Sequence, residues 1–269
     1  MGGDVADTAR GVDEPEFLPV LDIDAKERQS RLVVLFRVIL VIPHIIVLWA
    51  LGIVTFFVAL IGWFAALFTG RLPEGIASFL TGYVAWRTRV AVYMFLLDDR
   101  YPPFAFEAPD HPVRIEVRPG PLNRLAVFFR FILIIPAAIV AGITAAGWGV
   151  CALVFWLIIL IMGRVPGPIF GSTAAVARYQ LRESAYWLLL TSAYPKRLFG
   201  DESTFEAGRP RASATQPLLL SNGARFLLVL YIVLGVLAAL GSGVSRPDTY
   251  ETHDGGYGGY GAPMESPPP

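Results

Sequence analysis

Arg31-Leu32-Val33-Val34-Leu35-Phe36-Arg37-Val38-Ile39-Leu40-Val41-Ile42-Pro43 recurs as Arg124-Leu125-Ala126-Val127-Phe128-Phe129-Arg130-Phe131-Ile132-Leu133-Ile134-Ile135-Pro136, at an interval of 93 residues. The register holds without a gap through Trp63/Trp156, Gly70-Arg71/Gly163-Arg164, Pro73/Pro166, Arg89/Arg182, Tyr93/Tyr186 and Tyr101-Pro102/Tyr194-Pro195, and closes at Phe106/Phe199. Two unrelated apolar stretches align apolar residues with one another. They do not also align isolated arginines, prolines and a Gly-Arg step. The chain is a tandem duplication.

Both copies are built on an apolar run. Leu32 to Thr69 holds one formal charge, Arg37, and Leu125 to Met162 holds one, Arg130. Each run far exceeds the roughly 20 residues of a membrane-spanning helix. A third run, Phe226 to Leu240, is shorter but also uncharged, and is a candidate for a single span. Composition agrees: 55% of residues are apolar, 16% charged, and mean hydropathy is +0.56, whereas a soluble domain carries about 25% charged residues. Net charge is zero, so no global field attracts nucleic acid. The single cysteine, Cys151, has no partner for an internal disulfide, and no Cys/His cluster supplies zinc ligands. Met1 to Glu16 is acidic without an apolar core, unlike a signal peptide, so insertion is expected to rely on the internal segments.

Each copy reads alike. A short alternating segment (Pro19–Asp24; Pro112–Arg118) has the period of a strand. The apolar run follows and stops at Gly70-Arg71-Leu72-Pro73 or Gly163-Arg164-Val165-Pro166, where glycine and proline end a helix and arginine marks an aqueous boundary. A mixed helix comes next, near Ile76–Leu97 and Ile169–Leu190, and a Tyr101-Pro102 or Tyr194-Pro195 corner closes the module. The implied organisation is an acidic, disordered 1–16, repeats at 17–106 and 112–200, a linker at 201–224, a C-terminal helix at 225–241, and a disordered Gly/Tyr/Pro-rich tail at 245–269.

One straight helix over either run would be about 57 Å long, against a hydrocarbon core of about 30 Å. Two readings remain, a hairpin of two short spans or one span plus a partly buried or interfacial first helix; the hairpin, with tips near Gly52–Thr55 and Gly142–Gly149, is favoured. That choice also keeps the basic loops on one side, as the positive-inside bias requires. The mixed helices carry central charges that are costly to insert and are placed at the interface. The sequence thus predicts an all-α integral membrane protein. It has two tandem repeats, each a long hydrophobic hairpin plus an interfacial amphipathic helix, then a C-terminal transmembrane helix, with minor short strands. Five spans put the N-terminus in the cytoplasm and the C-terminus outside.

Arg37 and Arg130 lie shallow in their runs. They read as snorkelling orientation anchors, or as an anionic headgroup site shared with Arg71, Arg164, Arg89 and Arg182. Pro43 and Pro136 are expected to kink or bound their helices. Gly70, Gly163, Pro73, Pro166, Tyr101 and Tyr194 are structural landmarks. His44, facing Ala137 in the other copy, is no repeated proton relay, and His44, His111 and His253 read as exposed or packing residues. Asp98-Asp99 reads as a solvated helix end. There is no P-loop, GxSxG, HExxH or catalytic carboxylate pair, and no cofactor or metal is expected.

At Arg31–Pro43, Phe68-Thr69-Gly70-Arg71-Leu72-Pro73 and Leu97-Asp98-Asp99-Arg100-Tyr101-Pro102-Pro103-Phe104 the chain resembles the domain of unknown function 4389 family, common in actinobacteria and often present in two copies. The resemblance covers roughly Pro19 to Phe199; copy two departs from it at Ala137, Pro168 and Lys196. It implies a bacterial plasma membrane and supplies no catalytic residues. The expected role is a non-enzymatic scaffold or accessory subunit whose partners are membrane lipids, other membrane proteins or further copies of itself. A lipid- or small-molecule-handling component is the alternative, and an oligomeric transporter or channel a second one.

Overall fold

A computed structural model describes residues 17–24, 28–201 and 213–244. The expected acidic N-terminus, the Gly/Tyr/Pro tail and residues 202–212 of the linker lie outside the described residues. The elements are β1 (Val20–Ile23), α1 (Arg31–Thr69), α2 (Glu74–Met94), β2 (Val113–Glu116), α3 (Arg124–Phe128), α4 (Arg130–Met162), α5 (Gly167–Trp187) and α6 (Asn222–Val244). The mostly helical class, the repeat and the short strands follow the sequence.

The hairpins do not. Leu32 to Thr69 lies within one continuous helix, and the second run is helical from Arg124 to Met162 apart from a single-residue interruption at Phe129. Reversing the chain within the run would strip several backbone groups of helical partners, with no turn chemistry at Gly52–Thr55 to replace them. Pro43 and Pro136 sit inside their helices and end neither. The glycines read as a second tip are in part a packing device. A Cβ on Gly147 would fall on the Tyr231 carbonyl, and one on Gly235 would fall on the Ile143 carbonyl. Bare glycine faces thus let α4 and α6 run antiparallel in backbone contact.

Helix ends obey the local signals. Gly70 and Gly163 adopt φ of 74° and 67° as left-handed C-caps, a conformation glycine takes without steric cost. The Asn123 side-chain oxygen accepts from Leu125 N and Ala126 N, capping α3. α2 and α5 end earlier than the sequence suggests, because Leu96 and Leu189 turn left-handed (φ 64° and 63°) and Leu97 N and Leu190 N reach back to Val92 O and Ala185 O.

The two copies face each other about an approximate two-fold axis. β1 pairs antiparallel with β2, Val20 opposite Glu116 and Ile23 opposite Val113, so exchanging the copies maps the ladder onto itself. Trp63 Nε1 donates to Val127 O at 2.9 Å, and Trp156 Nε1 to Val34 O at 2.8 Å. Leu122 N donates to Gly70 O, and Gln29 N to Gly163 O. Each is an isologous pair, one contact made twice. They place the start of each long helix beside the end of the other, so α1 and α4 are antiparallel.

The result is a set of tiers. α1, α4 and α6 carry most of the exposed large apolar side chains. α2 and α5 pack against the long helices and against each other. The ladder rests on α2 and α5 and makes no contact with the long helices, and polar segments tie in beside it. There Thr215 Oγ1 accepts from Ile23 N, and Arg178 pairs with Asp201 at 2.7 Å.

Replacing Gly147 or Gly235 by leucine forces α4 and α6 apart. Each variant is expected to lose about 1–3 kcal/mol, the usual cost of overpacking, seen as a lower unfolding midpoint in detergent. Gly149→Leu, at a position where nothing lies within 4 Å of an added Cβ, does not lower the midpoint, since leucine is the better helix former.

Candidate functional site

Four of the six recurrent arginines face inward. Arg37 is only 2% exposed; it donates through Nη1 to Tyr93 O at 2.6 Å and through Nη2 to Gln29 Oε1 at 3.2 Å, with Cζ 4.6 Å above the Tyr93 ring. Arg130 repeats this, donating to Thr191 O at 3.0 Å and stacking 3.8 Å above Tyr186. Arg37 thus binds the last turn of α2 and Arg130 the segment just past α5, each with its charge over a tyrosine ring of that helix. Arg89 donates to Ala105 O and Phe106 O, and Arg182 to Pro19 O and Lys196 O, pinning the Tyr-Pro corners onto α2 and α5. Burial, reinforced by the neighbouring Arg178, pulls Arg182 down to about 9. Arg71 and Arg164 are exposed beside their cap glycines. The structure does not gather the six at one place; Arg37, Arg89 and Arg130 staple their own modules, and Arg182 also bridges to the other copy at Pro19.

The other landmarks serve the same framework. Pro73 and Pro166 stand at the N-caps of α2 and α5. Tyr194 packs on Tyr186 and Tyr101 on His44. His44 is fully buried, stacked 3.9 Å from Phe104, and its Nδ1 accepts from Trp86 Nε1. Asp98-Asp99 is not a solvated end. Asp98 is buried, which raises its carboxyl above the ordinary range, and Asp99 Oδ2 accepts from Ser30 N, tying the corner to the start of α1. A carboxylate that can take these backbone donors is more useful inside the corner than in water.

One cleft of about 460 Å³ opens between the copies. Apolar walls come from Phe56, Trp63, Phe131 and Trp187, and polar groups from Thr55, Tyr83, Arg87, Glu183 and Ser184. Arg87 Nη1 donates to Ser184 Oγ at 2.8 Å, and Ser184 Oγ in turn donates to Glu183 Oε2 at 3.3 Å. Burial raises the Glu183 carboxyl above its usual range, while Arg87 and Ser184 oppose the shift. Thr55 is 4% exposed, and its hydroxyl has no hydrogen-bond partner among the described residues. The symmetry-related position is closed. Thr55 corresponds to Trp148, which packs tilted against Phe95 at 4.5 Å and donates to Thr173 Oγ1.

Sequence reading passed over these cleft residues because it weighted what recurs. The available signal was the reverse: Thr55/Trp148, Tyr83/Val176, Arg87/Gln180 and Glu183/Val90 are places where the copies differ.

Residues 31–105 and 124–198 each match the family model described as Domain of unknown function (DUF4389). The chain belongs to this family. No curated protein and no solved structure matches it. The two DUF4389 copies span each long helix, its mixed helix and the Tyr-Pro corner, so the family unit is the stapled module described above. Three helices of this DUF4389 protein, Arg31–Thr69, Arg130–Met162 and Asn222–Gly241, are long and apolar enough to cross a membrane by length and composition. It is a membrane protein.

Arg37→Gln removes a charged hydrogen bond at a buried helix end and is expected to cost roughly 1.5–3 kcal/mol, measured as a drop in unfolding midpoint. Glu183 has a raised folded pKa, so its contribution is fully present below the ordinary glutamate value, about 4.3. It is lost as pH rises through the shifted value. The midpoint difference between Glu183→Gln and the parent protein should therefore widen with rising pH in favour of the glutamine; a constant difference would contradict the assignment.

Proposed function

We propose that the protein is a non-enzymatic membrane component that binds an amphiphile in the cleft between its two copies. The observation that carries this is a cleft between the copies with aromatic walls and a Glu183–Ser184–Arg87 polar chain, left open where Thr55 stands in place of the closing Trp148 of the other copy. Apolar walls with a few convergent polar groups are the usual make-up of a small-molecule site. An acyl chain fits against Phe56, Phe131 and Trp187, and a polar head can meet a cation at Arg87 and a carboxyl at Glu183. The asymmetry of the duplication supports the same reading, since only one of two equivalent positions is left open. We place the protein in a bacterial, specifically actinobacterial, plasma membrane, a setting drawn from the family resemblance.

Thr55→Trp copies the residue that closes the equivalent position and should fill the cleft without disturbing the fold. Native mass spectrometry of protein extracted with its lipids should show bound amphiphile reduced severalfold in Thr55→Trp and in Glu183→Gln. Equal retention by the parent and both variants would sink the reading.

A further inference from the structure

Several features bear on how this fold meets a bilayer. Exposed large apolar side chains crowd onto α1, α3, α4 and α6, whereas α2 has none and α5 only Trp187. No acidic residue lies on α1, α3, α4 or α6. The ladder carries Arg114, with a side chain 58% exposed, and the exposed Glu116–Arg118 pair.

The ladder's height along the long helices follows from symmetry. It maps onto itself when the copies are exchanged. Gln29 is bound at the start of α1 and Leu122 just before the start of α3, at opposite ends of the antiparallel pair. The ladder is therefore equidistant from the two ends, at the middle of helices about 57 Å long. If those helices crossed a bilayer, the exposed charges of the ladder would sit at its centre, at about 2.5–3.5 kcal/mol each. Fitting 57 Å into a core of about 30 Å would also demand a tilt of about 60°, beyond the range of 0–40° seen for spanning helices. Arginines stand at both ends of the pair, with Arg28, Arg31 and Arg164 at one and Arg71 and Arg124 at the other, so a crossing orientation would put basic clusters on both sides against the positive-inside bias.

We propose that α1, α4 and α6 lie along the membrane plane, sunk into one leaflet, with the two-fold axis along the bilayer normal. A helix about 10 Å across fits within half of a core of about 30 Å. The apolar tier then contacts acyl chains, α2 and α5 form a roof, and the ladder and both arginine clusters meet water and headgroups on one side. The partner of the exposed apolar face is a single leaflet, and the chain enters and leaves on the same side. This stands independently of what the cleft binds.

The test uses full-length protein carrying Cys151→Ser and one introduced cysteine, at Arg28, Arg71 or Glu116, in sealed right-side-out and inverted vesicles. These are exposed positions, and unchanged helicity by circular dichroism checks the fold. A membrane-impermeant maleimide is expected to label all three sites from the same side and none from the other. Labelling of Arg28→Cys and Arg71→Cys from opposite sides, or protection of Glu116→Cys from both, would overturn the proposal. Polarised infrared spectra of the unlabelled protein in oriented bilayers give a second readout. Amide I dichroism of in-plane sign is expected, and the sign of helices along the normal would overturn it equally.

Discussion

The antiparallel pairing of Val20–Ile23 with Val113–Glu116 is the constraint on which the rest of the structure depends. Four residues a side contribute little stability by themselves. Their importance lies in joining the same segment of each copy in a register that maps onto itself. A shift of one residue would turn Leu21 and Ile23, both buried, toward the opposite face. With that register set, each module must present the same surface to the other. Trp63 and Trp156 then reach the first turns of the opposing helices, and each cap glycine carbonyl receives a donor from the other copy. The copies make a closed, two-fold unit from one chain.

The framework is held by guanidinium groups that donate to backbone carbonyls and a glutamine oxygen. A planar guanidinium with several donors is suited to this. Arg37 and Arg130 sit at the ends of α2 and α5, each over a tyrosine face supplied by that helix. Arg89 and Arg182 do the same for the corners. A charge enclosed in this way must keep its partners, which makes the module rigid and explains why the pattern repeats so closely. Those arginines are committed to the fold.

Asymmetry enters in two places. α6 has no counterpart after copy one and packs on α4 and α5, fitting bare glycines against backbone. Trp148 closes on one side the space that Thr55 leaves open on the other. The cleft owes its existence to that difference, and its polar groups, Arg87 and Glu183, are likewise unmatched by Gln180 and Val90. Duplication built the scaffold, and divergence between the copies made the site.

The sequence by itself determined the duplication, the membrane class, the glycine caps and the strand at Val113–Glu116. Each of these depends on local composition or on a period that neighbouring residues carry. Only the tertiary structure decided that Leu32 to Thr69 is one helix, because the competing hairpin was inferred from a bilayer assumed to be crossed rather than from any turn residue. Gly147 looked like part of a tip and proved to be a contact surface, a distinction that depends on α6, far away in the chain. Arg37 and Arg130 looked lipid-facing because their flanking residues are apolar all round. Which side of such a helix faces protein is fixed by its partners, and nothing in a uniformly apolar stretch records it.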